Sequence, residues 1–195
     1  MIKNEIQEQR MRGYFIQATR EILKGEGLVH LSVRNIAEKA GYSYATLYNY
    51  FKDVQELVFL CVRDFQDECR EFVGEQAGPV EPGLPGIRKI TEAYIRYFMQ
   101  YPSVFELFFI ARISDIEKKQ PTTELIYNFF DTLTREGWAY CVSQGEMTEE
   151  EAASRQNGLK LTITGLLLFY LHRRQPADYQ EFLKAMDGSL SFILG

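Results

Sequence analysis

Histidine, cysteine and proline are scarce in this chain, at 2, 3 and 6 residues of 195. Each shortage closes off a class of protein. Neither His30 nor His172 has a second histidine or a cysteine within a helical turn or two, so the ligand spacing of a zinc site is missing. Cys61, Cys69 and Cys141 are odd in number and lack ligand-like spacing; they read as buried or half-buried free thiols rather than as a redox pair or a metal set. No Ser/His/Asp set or carboxylate pair stands out. The chain is therefore expected to be no enzyme and to use no metal and no cofactor.

Long apolar runs are missing too. The longest one near the C-terminus spans residues 165–171, far short of the roughly 20 residues a membrane-spanning helix requires. Residues 1–12 mix Lys3, Glu5, Glu8, Arg10 and Arg12 and carry no uninterrupted apolar core like that of a secretory signal. The expectation is a cytoplasmic protein with no membrane partner. Strand-like alternation is rare, whereas apolar residues recur three or four apart through most of the chain, which predicts an all-α fold of about nine helices.

What is present is an ordinary globular composition with an uneven charge. Hydrophobic residues at 46% and charged residues at 25% suffice for a buried core. The net charge is -5, yet residues 1–52 hold 8 Lys and Arg against 5 Asp and Glu, net +3, and the remainder holds 14 against 22, net -8. A basic head on an acidic body suits contact with a polyanion through the head alone.

The periodicity predicts helices over 4–24, 33–40, 44–50, 54–73, 87–100, 103–113, 122–143, 148–172 and 178–194. The first carries Met11, Phe15, Ala18 and Ile22 on one stripe, with Arg10, Arg12 and Arg20 on other faces, and Gly25 and Gly27 end it. Ser32 and Ser43 are N-caps, and Asp53 with Glu56 and Thr148 with Glu151 have capping-box spacing. Residues 74–86, rich in glycine and proline, are expected to form a loop. We draw a domain boundary at 53/54, giving a three-helix head (1–53) and a helical body (54–195).

Residues 31–53 have the anatomy of a helix-turn-helix, two short helices joined by the tight turn Gly41-Tyr42-Ser43. Glycine takes a positive φ there at no steric cost, so the second helix can leave steeply and enter a major groove. The run Ile36-Ala37, Ala40-Gly41, Ser43, Thr46-Leu47-Tyr48 and Tyr50-Phe51, followed by Lys52 and a helix starting near Glu56-Leu57, resembles the signature of the TetR family of ligand-responsive transcriptional repressors. The match extends over about residues 11 to 60; beyond it the likeness is one of helix number and length.

The resemblance implies double-stranded DNA as partner. It makes Ser43, Tyr44, Ala45, Thr46 and Asn49 candidates for base edges, Tyr48 and Lys52 for phosphates, and Ser32 and Arg34 for the flanking backbone. Packing is the competing reading for the aromatic cluster. We read Tyr50 and Phe51 as packing, Tyr44 and Tyr48 as DNA contact. Tyr44 departs from the family, where lysine, arginine or proline is commoner, and Asp53-Val54-Gln55 departs from its usual polar or basic run, which implies a lighter phosphate grip.

The family's regulatory body encloses an effector. By resemblance, an apolar cavity between the helices at 87–100, 103–113 and 122–143 would be lined by Tyr97, Tyr101, Phe105, Phe108, Tyr127, Phe130 and Trp138, with Arg112 orienting a polar end. The same rings could equally be core. The helices at 148–172 and 178–194 are apolar on more than one face, which predicts a homodimer through Leu159, Ile163, Leu166, Tyr170, Phe182 and Met186. Two functions stay open: a dimeric repressor released from a pseudo-palindromic operator by a small, largely apolar or aromatic effector, and a DNA-binding adaptor whose body binds a protein, as nucleoid-occlusion members of the family do.

Overall fold

The computed structural model describes residues 2–111 and 122–195, with side chains from Glu5 onward. Its helices are α1 (Ile2–Gly25), α2 (Val33–Ala40), α3 (Tyr44–Tyr48), α4 (Val54–Ala77), α5 (Leu84–Gln100), α6 (Pro102–Phe109), α7 (Thr122–Ser143), α8 (Glu149–Leu168) and α9 (Tyr179–Leu194). A 3₁₀ turn at Leu28–His30 precedes α2, and a π turn at Phe169–Arg173 ends α8. No strand occurs among the described residues. The chain forms two compact units, one of Met1–Asp67 with Ser103–Ile126 and the other of Glu68–Pro102 with Tyr127–Gly195. The residues of α4 are thus shared between the units, so compactness does not follow the line drawn at 53/54.

In the first unit the predicted stripe of α1 is the core. Phe15, Ala18 and Ile22 are buried with Ile36 of α2, Leu47 of α3, Phe51 and Leu57, and Met11, Leu31, Val33 and Tyr50 pack at its edge. Phe15 meets Phe51 edge-on at 6.2 Å between ring centres. Two short helices with few internal hydrogen bonds are held by this burial and by their caps, since isolated helices of 8 and 5 residues are unstable in water.

The second unit has an aromatic lattice at its centre. Tyr94 packs on Phe98 at 4.9 Å and on Phe130 at 5.0 Å, and Tyr97 packs on Phe98 at 5.3 Å and on Tyr101 at 5.1 Å. α5 approaches α7 closely at Gly137, where an added Cβ would lie 2.5 Å from Cγ1 of Ile87. α8 packs on both α5 and α9.

Several element boundaries differ from expectation for local reasons. α4 runs on through Gly74 to Ala77, and α5 begins at Leu84 with Pro85 in its first turn, so the loop shrinks to residues 78–83. Proline fits a helix start because its missing N–H has no partner there. Glu56 and Asp53 form half a capping box: Asp53 Oδ1 accepts from the N–H of Glu56 at 2.9 Å, but Glu56 Oε2 accepts from Lys52 N–H at 3.1 Å instead of from Asp53. The Thr148–Glu151 box is complete.

The residues expected at a subunit interface divide in two. Leu159, Ile163, Phe182 and Met186 are buried inside the second unit, and a side chain with almost no accessible surface has little to offer a partner. Leu166 and Tyr170 are half-buried, with the Tyr170 ring 4.3 Å from that of Phe182. Outside, α8 leaves Leu161 58% exposed, Phe169 at its end is 56% exposed, and Phe192 of α9 is 91% exposed.

Candidate nucleic-acid interface

Local chemistry builds the corner between α2 and α3. Ser32 caps α2 by accepting from the N–H of Asn35 at 3.1 Å, and Asn35 Nδ2 donates to the carbonyl of His30 at 2.8 Å. Gly41 ends the helix in the left-handed region, φ 78°, where a side chain would be strained. The N–H of Tyr42 then returns to the Ala37 carbonyl at 2.9 Å. The next residue, Ser43, starts α3 by accepting from the N–H of Thr46 at 3.2 Å, and its hydroxyl lies 2.9 Å from that of Thr46. Both serines therefore already serve as caps, so any contact they make with a ligand uses their remaining lone pairs.

Leu47 anchors α3, fully buried, and the rest of the helix faces out. Tyr44 is 66% and Tyr48 53% exposed, Ser43, Ala45, Asn49 and Lys52 are exposed, and Thr46 is half-buried. Ser32 and Arg34 at the start of α2 are exposed as well. This stretch therefore displays hydroxyls, an amide, a methyl and a cation, the groups that make phosphate and base-edge contacts.

Two further tyrosines join this surface. Tyr42, in the turn, and Tyr14, on α1, are both exposed, and their rings stack with centres 6.1 Å apart. Tyr14 sits beside the core residue Phe15 in sequence and so falls off the apolar stripe; an aromatic ring off the stripe of a basic head was the available signal. Arg12, placed on a polar face by its spacing, points inward instead. Its Nη2 donates to Glu56 Oε1 at 3.0 Å, its Nη1 donates to the carbonyl of Tyr50, and its guanidinium lies 4.2 Å from the Phe51 ring centre.

The residues expected to line an effector cavity are distributed over both units. Phe105 and Phe108 are buried in the first, where each packs on Phe109. Tyr97, Tyr101, Tyr127, Phe130 and Trp138 belong to the second. Tyr97 and Phe130 are buried in its aromatic lattice, whereas Tyr127 is 54% exposed with Lys160 Nζ 3.8 Å from its ring centre. Arg112 lies outside the described residues. Burial, with the neighbouring Glu68 carboxylate, pushes the Tyr97 phenol well above its usual range, so it stays protonated and donates to Glu68 Oε1 at 3.3 Å.

The second unit also holds two hollows. One, about 430 Å³, lies between α7 and the first turns of α8, over Trp138, Val142 and Ala152, with Arg135 and Gln156 at its edge. The other, about 350 Å³, is bounded by Ile87, Ile90, Leu133, Gly137 and Tyr140. Both volumes fall within the range of small-molecule sites. Of the seven rings expected at a cavity, Trp138 borders the first hollow, and its Nε1 is buried without a hydrogen-bond partner among the described residues. In the same unit, Lys160 Nζ pairs with Asp131 Oδ2 at 2.7 Å.

Residues 15–61 match the family described as bacterial regulatory proteins, tetR family. The match covers the head segment, and the fold of the chain is shared with solved tetR-family regulators. Among solved structures, a protein assigned as a tetR family transcription regulator from Shewanella sp. PV-4 superposes with a TM-score of 0.71 at 14% identity, covering 94% of this chain and 96% of its own. The transcriptional regulator FadR from Bacillus subtilis, in complex with stearoyl-CoA, gives 0.71 at 13% identity over 94% and 98%. A TetR transcriptional regulator from Rhodococcus sp. RHA1 gives 0.63 at 16% over 96% and 97%. No curated protein sequence matches the chain. Among the described residues, no helix is long and apolar enough to cross a membrane.

Proposed function

We propose that this chain is a tetR-family DNA-binding regulator, a cytoplasmic homodimeric repressor released from a pseudo-palindromic operator by a small, largely apolar or aromatic effector. One observation carries the reading: a capped helix-turn-helix whose second helix buries Leu47 and presents Tyr44, Ala45, Tyr48, Asn49 and Lys52 to solvent. In this reading Tyr44, Ala45 and Asn49, with Thr46 and Ser43, touch base edges, and Tyr48, Lys52, Ser32 and Arg34 hold phosphates. The regulator's division of labour follows 1–53 and 54–195.

Dimerisation through α8 and α9 is supported by apolar surface left uncovered on both. Gly158, Leu161, Gly165 and Phe169 recur three or four apart along α8 and its end, and Gly188 precedes Phe192 by one turn on α9. The glycines have open space above them, so a partner helix can approach closely. The contact surface is then Leu161, Phe169 and Phe192 with Leu166 and Tyr170, rather than the four buried residues. The effector reading draws on the two hollows of the second unit and on the shared fold with FadR, which makes stearoyl-CoA a first compound to try.

Selection of duplexes from a random-sequence pool tests the function. Two-fold sites are expected, with half-site centres about 34 to 36 Å apart or somewhat more. Lys52→Ala should weaken binding to all duplexes alike, and changes at Tyr44 should alter the preferred sequence. Recovery of no preferred duplex, or of single asymmetric sites, counts against the proposal.

A further inference from the structure

The contacts of Arg12 lie away from the exposed face of α3, yet they hold the segment that closes it. Where α3 ends, the Tyr50 carbonyl has no helical partner of its own, and Arg12 Nη1 donates to it. Two residues later, the N–H of Lys52 donates to Glu56 Oε2, the carboxylate whose other oxygen accepts from Arg12 Nη2 at 3.0 Å. Phe51, between these pinned residues, is buried below the guanidinium. One side chain on α1 therefore joins the end of α3 to the first turn of α4, across 38 residues to Tyr50 and 44 to Glu56. Arg12 and Glu56 are each about one-third exposed, so solvent weakens the ionic part of the contact, and what remains is direction.

We infer that Arg12 is a positioning residue for DNA recognition: its planar fork, seated on Phe51 and shared between the Tyr50 carbonyl and Glu56, fixes the orientation of α3 and of Lys52 without itself touching DNA. The inference rests on the DNA-binding reading. Its chemistry is specific to arginine, because an ammonium is a point donor that cannot lie flat on a ring while donating in two fixed directions. Charge at position 12 is thus not the property that matters.

The test uses the full chain and one duplex enriched by the wild type from a random pool. Arg12→Lys, Arg12→Met and Glu56→Gln are compared at a temperature where circular dichroism shows each folded. We expect Arg12→Lys and Arg12→Met to bind on the order of tenfold more weakly, the loss of a charge-assisted hydrogen bond, with the wild-type salt dependence. Glu56→Gln, which keeps one acceptor, should fall between. Should Arg12→Met not fold, Arg12→Lys carries the test. Wild-type affinity in Arg12→Lys, or a salt slope lowered by about one in Arg12→Met, would overturn the inference, since either makes Arg12 an ordinary phosphate contact. If the wild type enriches no duplex, the DNA-binding reading itself fails.

Discussion

No large aliphatic side chain of α2 or α3 in the first unit is exposed, since Ile36 and Leu47 are buried and Val33 is half-buried. In the second unit, α8 and α9 leave Leu161 and Phe192 in the open. Within the helix-turn-helix the large aliphatic residues go to one small core and the face of α3 shows water hydroxyls, tyrosine rings, an amide and charge, although Val29 in the turn before α2 is 88% exposed. The second unit has more apolar surface than its own core consumes. A surface of the first kind suits a hydrated polyanion, and one of the second kind suits another apolar face. The proposed DNA and dimer contacts thus draw on different ends of the sequence.

The difference can be broken from either side. Phe15→Ala should do most, costing about 3 to 5 kcal/mol, because it empties the centre of a core made of few large residues. Thermal melting would show it, and a loss below 1 kcal/mol would mean that the head's core is not organised around that ring. In the second unit, Asp131→Ala should cost about 3 kcal/mol by leaving the mostly buried Lys160 ammonium without its carboxylate. Asp131→Ala with Lys160→Met should recover most of that loss in denaturant titrations; failure to recover would show that Asp131 matters for something besides the pair. Phe192→Ser sharpens the comparison with the smallest effect on the protomer, within about 0.5 kcal/mol, since a residue 91% exposed contributes little to its own unit. Sedimentation should nonetheless show a weaker dimer. An unchanged association constant would move the interface elsewhere.

The sequence made the head legible nearly to the residue, and the body only in outline. The expected 33–40 is α2 as found, because Ser32 and Gly41 mark its ends with chemistry that acts locally; α7, expected at 122–143 and found there, is the exception in the body. The expected end of α4 at 73 falls four residues short of Ala77, since glycine weakens a helix by only about 1 kcal/mol and does not end it by itself. For α8, periodicity showed apolar residues all round but could not tell the stripe Leu159, Ile163, Leu167, buried, from the stripe Leu161, Phe169, exposed. That choice is made by which neighbouring helix packs on which side, and it is not encoded in spacing. Arg12 was missed for a related reason: its partners are 38 and 44 residues away.

Amide hydrogen exchange with and without an enriched duplex tests the central claim most directly, because it reports where along the chain DNA sits. Protection by DNA is predicted over residues 32–35 and 43–52, with the amides of α8 and α9 unchanged. Protection confined to α8 and α9, with none at Ser43 to Lys52, would contradict the account.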